Sequence, residues 1–139
     1  MATKIRAEIS PTNKYYIDKH RHYELKHFCL QYPAWKKAYA EFDNAGVPLS
    51  TIDAAPTSNL PGDPTAKRAI MKAHYSAKIE LIEKAAIETD RYLCDYIIKG
   101  VTEELSYTYL KSKLGIPCGK DMYYDRYRRF FWLLNKLRD

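Results

Sequence analysis

The chain has 139 residues, room for one compact domain or one domain with a small appendage, and its 46 % apolar and 29 % charged residues are ordinary for a globular protein. Only 5 glycines stand beside 13 tyrosines. That scarcity argues against enzymes built on glycine loops and against sandwiches that need a turn every ten residues or so. The net charge of +6 sits at the two ends: residues 1–32 hold six basic residues against three acids, and residues 107–139 hold eight against three. A cluster of this kind attracts polyanions such as a nucleic-acid backbone.

In chain order, residues 1–13 are aperiodic and end in Ser10-Pro11-Thr12-Asn13, which predicts a flexible arm. Their start, Met-Ala-Thr-Lys-Ile-Arg, has no apolar h-region, so secretion is not expected. Leu25, Phe28, Cys29 and Tyr32 then fall at i, i+3, i+4, i+7, one face of a helix from about Lys19 to Gln31. Pro33 ends that helix and opens the next, in which Trp35, Ala38, Tyr39 and Phe42 repeat the spacing up to a stop at Asn44-Ala45-Gly46. Residues 14–46 thus read as an N-terminal helical hairpin.

Residues 47–62 are proline-rich, carry no apolar period and predict a linker. Asp63-Pro64 opens a helical domain over 63–139, with Asp63 as N-cap. Its first helix is expected to reach Thr89 along a stripe of Ala66, Ala69, Ile70, Ala73 and Ala77 that passes to Ile79, Ile82 and Ala86. The small residues would let a partner helix approach closely, in this chain or in another copy, and the second case would make this 65–89 helix a homodimer contact. After a phase break near Asp90, Tyr92, Leu93, Tyr96 and Ile97 predict a helix to Lys99. Gly100 reads as its stop and Thr102 as a fresh N-cap. A short helix follows with Leu105, Tyr109 and Leu110, then the turn Gly115-Ile116-Pro117-Cys118-Gly119. A last helix runs from Lys120 to about Leu137 with a seam of Tyr123, Tyr127, Phe130, Leu134 and Leu137. No segment has strand periodicity, and the fold class is all-α.

Short helix, glycine turn and basic helix over 102–137 make the layout of a helix-turn-helix. Leu110 and Leu114 would face inward, Gly115 would take the left-handed conformation, and Ile116 would plug the gap between the helices. Lys120, Tyr124 and Arg128 would then face the groove of duplex DNA, with Lys111, Lys113, Arg126 and Arg129 as phosphate clamps. Asp121 and Asp125 on the same face would repel phosphate unless Arg128 and Arg129 pair with them one turn along. Lys111 stands where tightly packed versions carry alanine, and Pro117 with Gly119 makes the turn about one residue longer than usual.

The stretch from Asp63 to Lys136 carries Lys78-Ile79-Glu80-Leu81-Ile82-Glu83, Tyr109-Leu110-Lys111, and Gly115-Ile116-Pro117-Cys118-Gly119-Lys120 through to Arg128-Arg129-Phe130-Phe131-Trp132-Leu133-Leu134. It resembles small proteins of Firmicutes prophages, similar in layout to late-gene transcription regulators of the ArpU/RinA kind, whose ends resemble the DNA-binding region 4 of sigma factors. The resemblance implies a cytoplasmic regulator that binds double-stranded DNA. The N-terminal hairpin would be the surface for host RNA polymerase or another host protein. A second reading is an inhibitor or adaptor that sets its basic helical face into a host nucleic-acid enzyme or a defence nuclease.

Other chemistries find little support. Gly115-x-x-x-Gly119-Lys120-Asp121 is one residue short of a phosphate-binding loop, has Asp for the magnesium-holding hydroxyl and follows no strand. His-Glu-x-x-His and Gly-x-Ser-x-Gly are absent, and Cys118 reads as a turn residue tucked under the hairpin. His20, His22, His27 and Cys29 lack zinc spacing, so no metal or cofactor is expected. Three scattered cysteines, Cys29, Cys94 and Cys118, fit a reducing cytoplasm. The longest apolar run, Phe130 to Leu134, is far short of the roughly 20 residues of a membrane span. Tyr15, Tyr16, Tyr23, Phe28, Trp35 and Tyr39 read as core rather than as a stacking platform, and Glu80, Glu83, Glu88 and Asp90 as a solvated face. No enzyme is expected.

Overall fold

The computed structural model describes residues 11–43 and 64–138. The 47–62 linker, the Asn44-Ala45-Gly46 stop, the Asp63 cap and most of the 1–13 arm lie outside these described residues. Six helices occur among them: α1 (Lys19–Leu30), α2 (Tyr32–Asp43), α3 (Pro64–Thr89), α4 (Cys94–Glu103), α5 (Tyr107–Leu114) and α6 (Lys120–Arg138). The protein is all-α, and no helix among the described residues is long and apolar enough to cross a membrane.

The chain divides into two compact units, one made from Tyr32–Glu80 and the other from Met1–Gln31 with Leu81–Asp139. The division therefore falls between α1 and α2 and within α3, where the sequence suggested a hairpin over 14–46 and a boundary at 47–62. The reason lies in the face of α1. His22, Leu25, Phe28 and Cys29 are buried there, and α1 packs on α4 and α6.

In the Tyr32–Glu80 unit, Pro33 sits in the first turn of α2, where its missing N–H leaves no intrahelical bond unmade. Trp35 and Phe42 are buried, and the Phe42 ring stacks on Tyr75 with centroids 5.9 Å apart. Lys78 lies over the Trp35 ring and Lys72 over Tyr39. The buried residues of α3 in this unit are Met71, Tyr75 and Ile79, while Ile82, Ala85 and Ala86 are buried in the part of α3 that belongs to the other unit. Met71 and Tyr75 correct the alanine stripe, because Ala69, Ile70, Ala73 and Ala77 are exposed. Larger side chains remove more apolar area from water, so the Met71–Tyr75 face takes the core and the alanines lose little by facing solvent.

In the other unit, Asp18 caps α1 by accepting the His20 N–H at 3.0 Å. The phase break at Asp90 is real: its Oδ1 accepts the N–H groups of Tyr92 and Leu93 at 2.9 and 3.1 Å. The following helix begins later than expected, at Cys94, and Gly100 does not stop it. Gly100 and Thr102 lie inside α4, where Thr102 Oγ1 donates to the Ile98 carbonyl at 2.6 Å. The helix ends instead at Glu104, which takes the left-handed conformation with φ 52°. Gly100 serves a different need. A Cβ there would collide with the hydroxyl of Tyr123 on α6, so glycine lets the two helices approach closely. Ser106, not Thr102, caps α5, its Oγ accepting the Tyr109 N–H at 3.1 Å.

A candidate nucleic-acid interface at the α5–α6 turn

The eight residues of α5 lead into the glycine turn expected between the last two helices. Gly115 has φ 68°, a region open to glycine and strained for residues with a Cβ. The Ile116 N–H then donates to the Leu110 carbonyl at 3.1 Å, closing the helix end, and the Ile116 side chain is 0 % exposed beside buried Leu110. Two more bonds hold the turn. Tyr107 Oη donates to the Cys118 carbonyl at 2.6 Å, and Lys111 Nζ donates to the Ile116 carbonyl at 3.4 Å. Pro117 and Gly119 extend this turn to the start of α6, where Gly119 O accepts the Tyr123 N–H at 3.0 Å. Leu114, expected inward, is instead 39 % exposed. The long turn carries the inward apolar role forward to Ile116.

Along α6, Tyr123, Tyr127, Phe130, Phe131 and Leu134 are buried. Phe131 was not in the sequence seam, and Leu137 is only half-buried. The difference comes from α1, whose buried His22 meets Phe131 edge-on at 4.8 Å. The Tyr123 hydroxyl is buried without a hydrogen-bond partner among the described residues, and burial holds its pKa well above the ordinary phenol value.

The seven residues expected to meet DNA separate into groups. Lys111, Lys113 and Lys120 are exposed, and Lys113 and Lys120 have no ion-pair partner among the described residues. Arg128 is half-buried, and its Nε has no hydrogen-bond partner among them. Tyr124 is half-buried, its ring edge-on to Tyr123 at 5.1 Å and to Tyr127 at 6.2 Å.

Arg126 and Arg129 are engaged within the fold. Arg126 Nε donates to Asp90 Oδ2 at 3.0 Å and its Nη1 to Asp125 at 2.6 Å. Arg129 Nη1 donates to Tyr15 Oη at 3.3 Å and its Nη2 to the Glu88 carbonyl at 3.5 Å. Asp125 therefore pairs with its neighbour Arg126 rather than one turn along. These two arginines position α6 against the α3–α4 turn and the N-terminal segment, and phosphate would have to displace those partners. Tyr15 also packs on Trp132 at 5.5 Å, so the N-terminal segment lies against the later half of α6. At the beginning of α6, Lys120, Asp121 and Met122 are exposed.

Asp90, read from sequence as part of a solvated acidic face, is the anchor of this region. Burial alone pushes its carboxyl up, but the hydrogen bonds from Arg126, Leu93 N–H and Tyr92 N–H outweigh that and hold it below the usual carboxylate value. The phase break in α3 was the one sequence signal for it. Nearby, burial raises the Cys118 thiol, with Lys111 and Arg126 opposing and Asp90 reinforcing. A raised thiol pKa fits the reading of Cys118 as a turn residue. On the α3–α4 turn Arg91 and Tyr92 are exposed, Tyr92 to 90 %. Among the described residues no group of three or more His, Cys, Asp or Glu is placed to hold a metal ion. No protein family, curated protein or solved structure matches the chain.

Proposed function

We propose that the protein is a phage-type DNA-binding transcriptional regulator that enters the major groove of duplex DNA with the beginning of α6. The observation that carries this reading is the glycine-closed turn at Gly115 and Ile116, which leaves Lys111, Lys113 and Lys120 exposed around it. Lys111 and Lys113 at the end of α5 supply phosphate contacts, Lys120 opens α6, and Arg128 is the side chain suited to a bidentate contact with guanine. Arg126 and Arg129 act by holding α6 in place. The resemblance of the Gly115–Leu134 stretch to prophage regulators agrees with this assignment, and such a regulator works in the cytoplasm beside host RNA polymerase.

The test is fluorescence anisotropy against a random-sequence duplex pool across a salt series, followed by sequencing of the bound fraction. A steep loss of affinity with salt and an enriched motif are expected. Lys113→Ala should weaken binding to all duplexes and lower the salt slope by about one, whereas Arg128→Ala should relax sequence preference. Absence of binding at low salt refutes the reading.

One observation favours the inhibitor or adaptor alternative. The outer face of α6 mixes Asp121 and Asp125 with its cations, and Arg126 and Arg129 are already partnered. A face of that kind suits a nucleic-acid channel of a host enzyme, and co-purification of one such enzyme without duplex affinity would establish it.

A further inference from the structure

The α3–α4 turn holds two side chains in water that the fold does not use. Tyr92 is 90 % exposed, and Arg91 is exposed with no partner among the described residues. An aromatic ring left in water returns none of the burial energy that tyrosine supplies elsewhere in this chain. The backbone beneath it is nevertheless tightly fixed. Asp90 accepts the N–H groups of Tyr92 and Leu93, Leu93 is buried, and Arg126 of α6 grips the other oxygen of Asp90.

The turn is thus tied to the proposed DNA-reading helix by a charged hydrogen bond, Arg126 Nε to Asp90 Oδ2 at 3.0 Å. It also directly precedes α4, the first of the three helices α4, α5 and α6. In the homeodomain variant of this motif, the segment before the first of its three helices reaches the adjacent minor groove. Arginine and the tyrosine hydroxyl are both common donors to phosphate oxygens. A rigid support lowers the ordering cost of such a contact. Asp90 would repel phosphate here; Arg126 offsets part of its charge while also pairing with Asp125, so Arg91 supplies the attraction for phosphate.

We infer that the α3–α4 turn is a second duplex-DNA contact, in which Arg91 and Tyr92 hold the sugar–phosphate backbone beside the groove entered by α6. The inference rests on the DNA-binding reading and extends the site to residues outside the helix-turn-helix.

Anisotropy with the full chain and a fluorescein-labelled random-sequence duplex tests it, with urea midpoints confirming that each variant is folded. Arg91→Ala should weaken binding about three- to tenfold and lower the slope of log affinity against log salt by about one. Tyr92→Phe, which removes only the hydroxyl, should weaken binding about threefold or more at unchanged slope. Hydroxyl-radical footprints should lose protection flanking the α6 site in both variants. If Lys113→Ala weakens binding while Arg91→Ala or Tyr92→Phe binds like the parent, the inference is overturned and the DNA reading stands. If the parent chain binds no duplex at low salt, both fall together.

Discussion

Replacing Gly100 by alanine tests the closest approach between α4 and α6. In an open helix interior this change stabilises by about 0.5–1 kcal/mol, because alanine has less backbone freedom to lose. Here the new Cβ would collide with Tyr123 Oη and lie 3.4 Å from both Leu110 Cδ1 and Tyr123 Cζ. Tyr123 and Leu110 are each 0 % exposed, so neither can swing into solvent. Overpacking of this kind costs about 1–3 kcal/mol, which leaves a net change between about zero and a loss of about 2.5 kcal/mol.

Tyr123→Phe removes the colliding atom, a hydroxyl that is buried without a partner among the described residues. Leaving such a group unsatisfied costs about 1–3 kcal/mol, so Tyr123→Phe alone should be neutral or stabilising. In that background Gly100→Ala should become neutral or stabilising too. Urea unfolding of the parent, both single variants and the double variant gives the coupling directly. The expected coupling is about 1–3 kcal/mol in favour of the double variant. A coupling near zero would refute the close-approach argument and return Gly100 to an ordinary helix residue.

Three further outcomes are expected. The folded pKa of Asp90 lies below its unfolded value, so its stabilisation is present above about pH 4 and is lost as pH falls through the folded value. The stability gap between the parent and Asp90→Asn should therefore close in acid, and a gap unchanged from neutral pH to pH 3 or so would contradict this. Glu104 occupies the left-handed region, which costs a residue with a Cβ about 1–2 kcal/mol. Its exposed ion pair with Lys26 at 3.2 Å is worth less than that, so Glu104→Gly should raise the urea midpoint. Gly115→Ala meets no atom within 4 Å, so its cost should be the backbone conformation alone, about 1–2 kcal/mol. Ile116→Ala, which empties a fully buried site, should cost more, about 2–5 kcal/mol.

The helices themselves were legible in the residue order. A helix closes its bonds between residues four apart, so the Leu25–Phe28–Cys29 spacing, the proline at 33, the break at Asp90 and the left-handed glycine at 115 all act within a few residues of themselves. Ile116 was legible for the same reason, since an apolar residue after that glycine has only the α5–α6 gap to enter.

Other features waited on residues far away in sequence. Gly100 reads locally as a stop, yet its role is set by Tyr123, brought against it only when α4 packs on α6. The alanine stripe that opens α3 has a helical period, but the larger Met71 and Tyr75 took the core, in line with the expected Ile79. Charge followed the same rule. Arg126 and Arg129 look like phosphate clamps beside Lys120 and Arg128 until the chain folds and supplies Asp90, Glu88 and Tyr15 as partners. Periodicity can say that a helix has two faces. Which face is buried, and which cation remains for a ligand, depends on burial and pairing energies that exist only between distant parts of the chain.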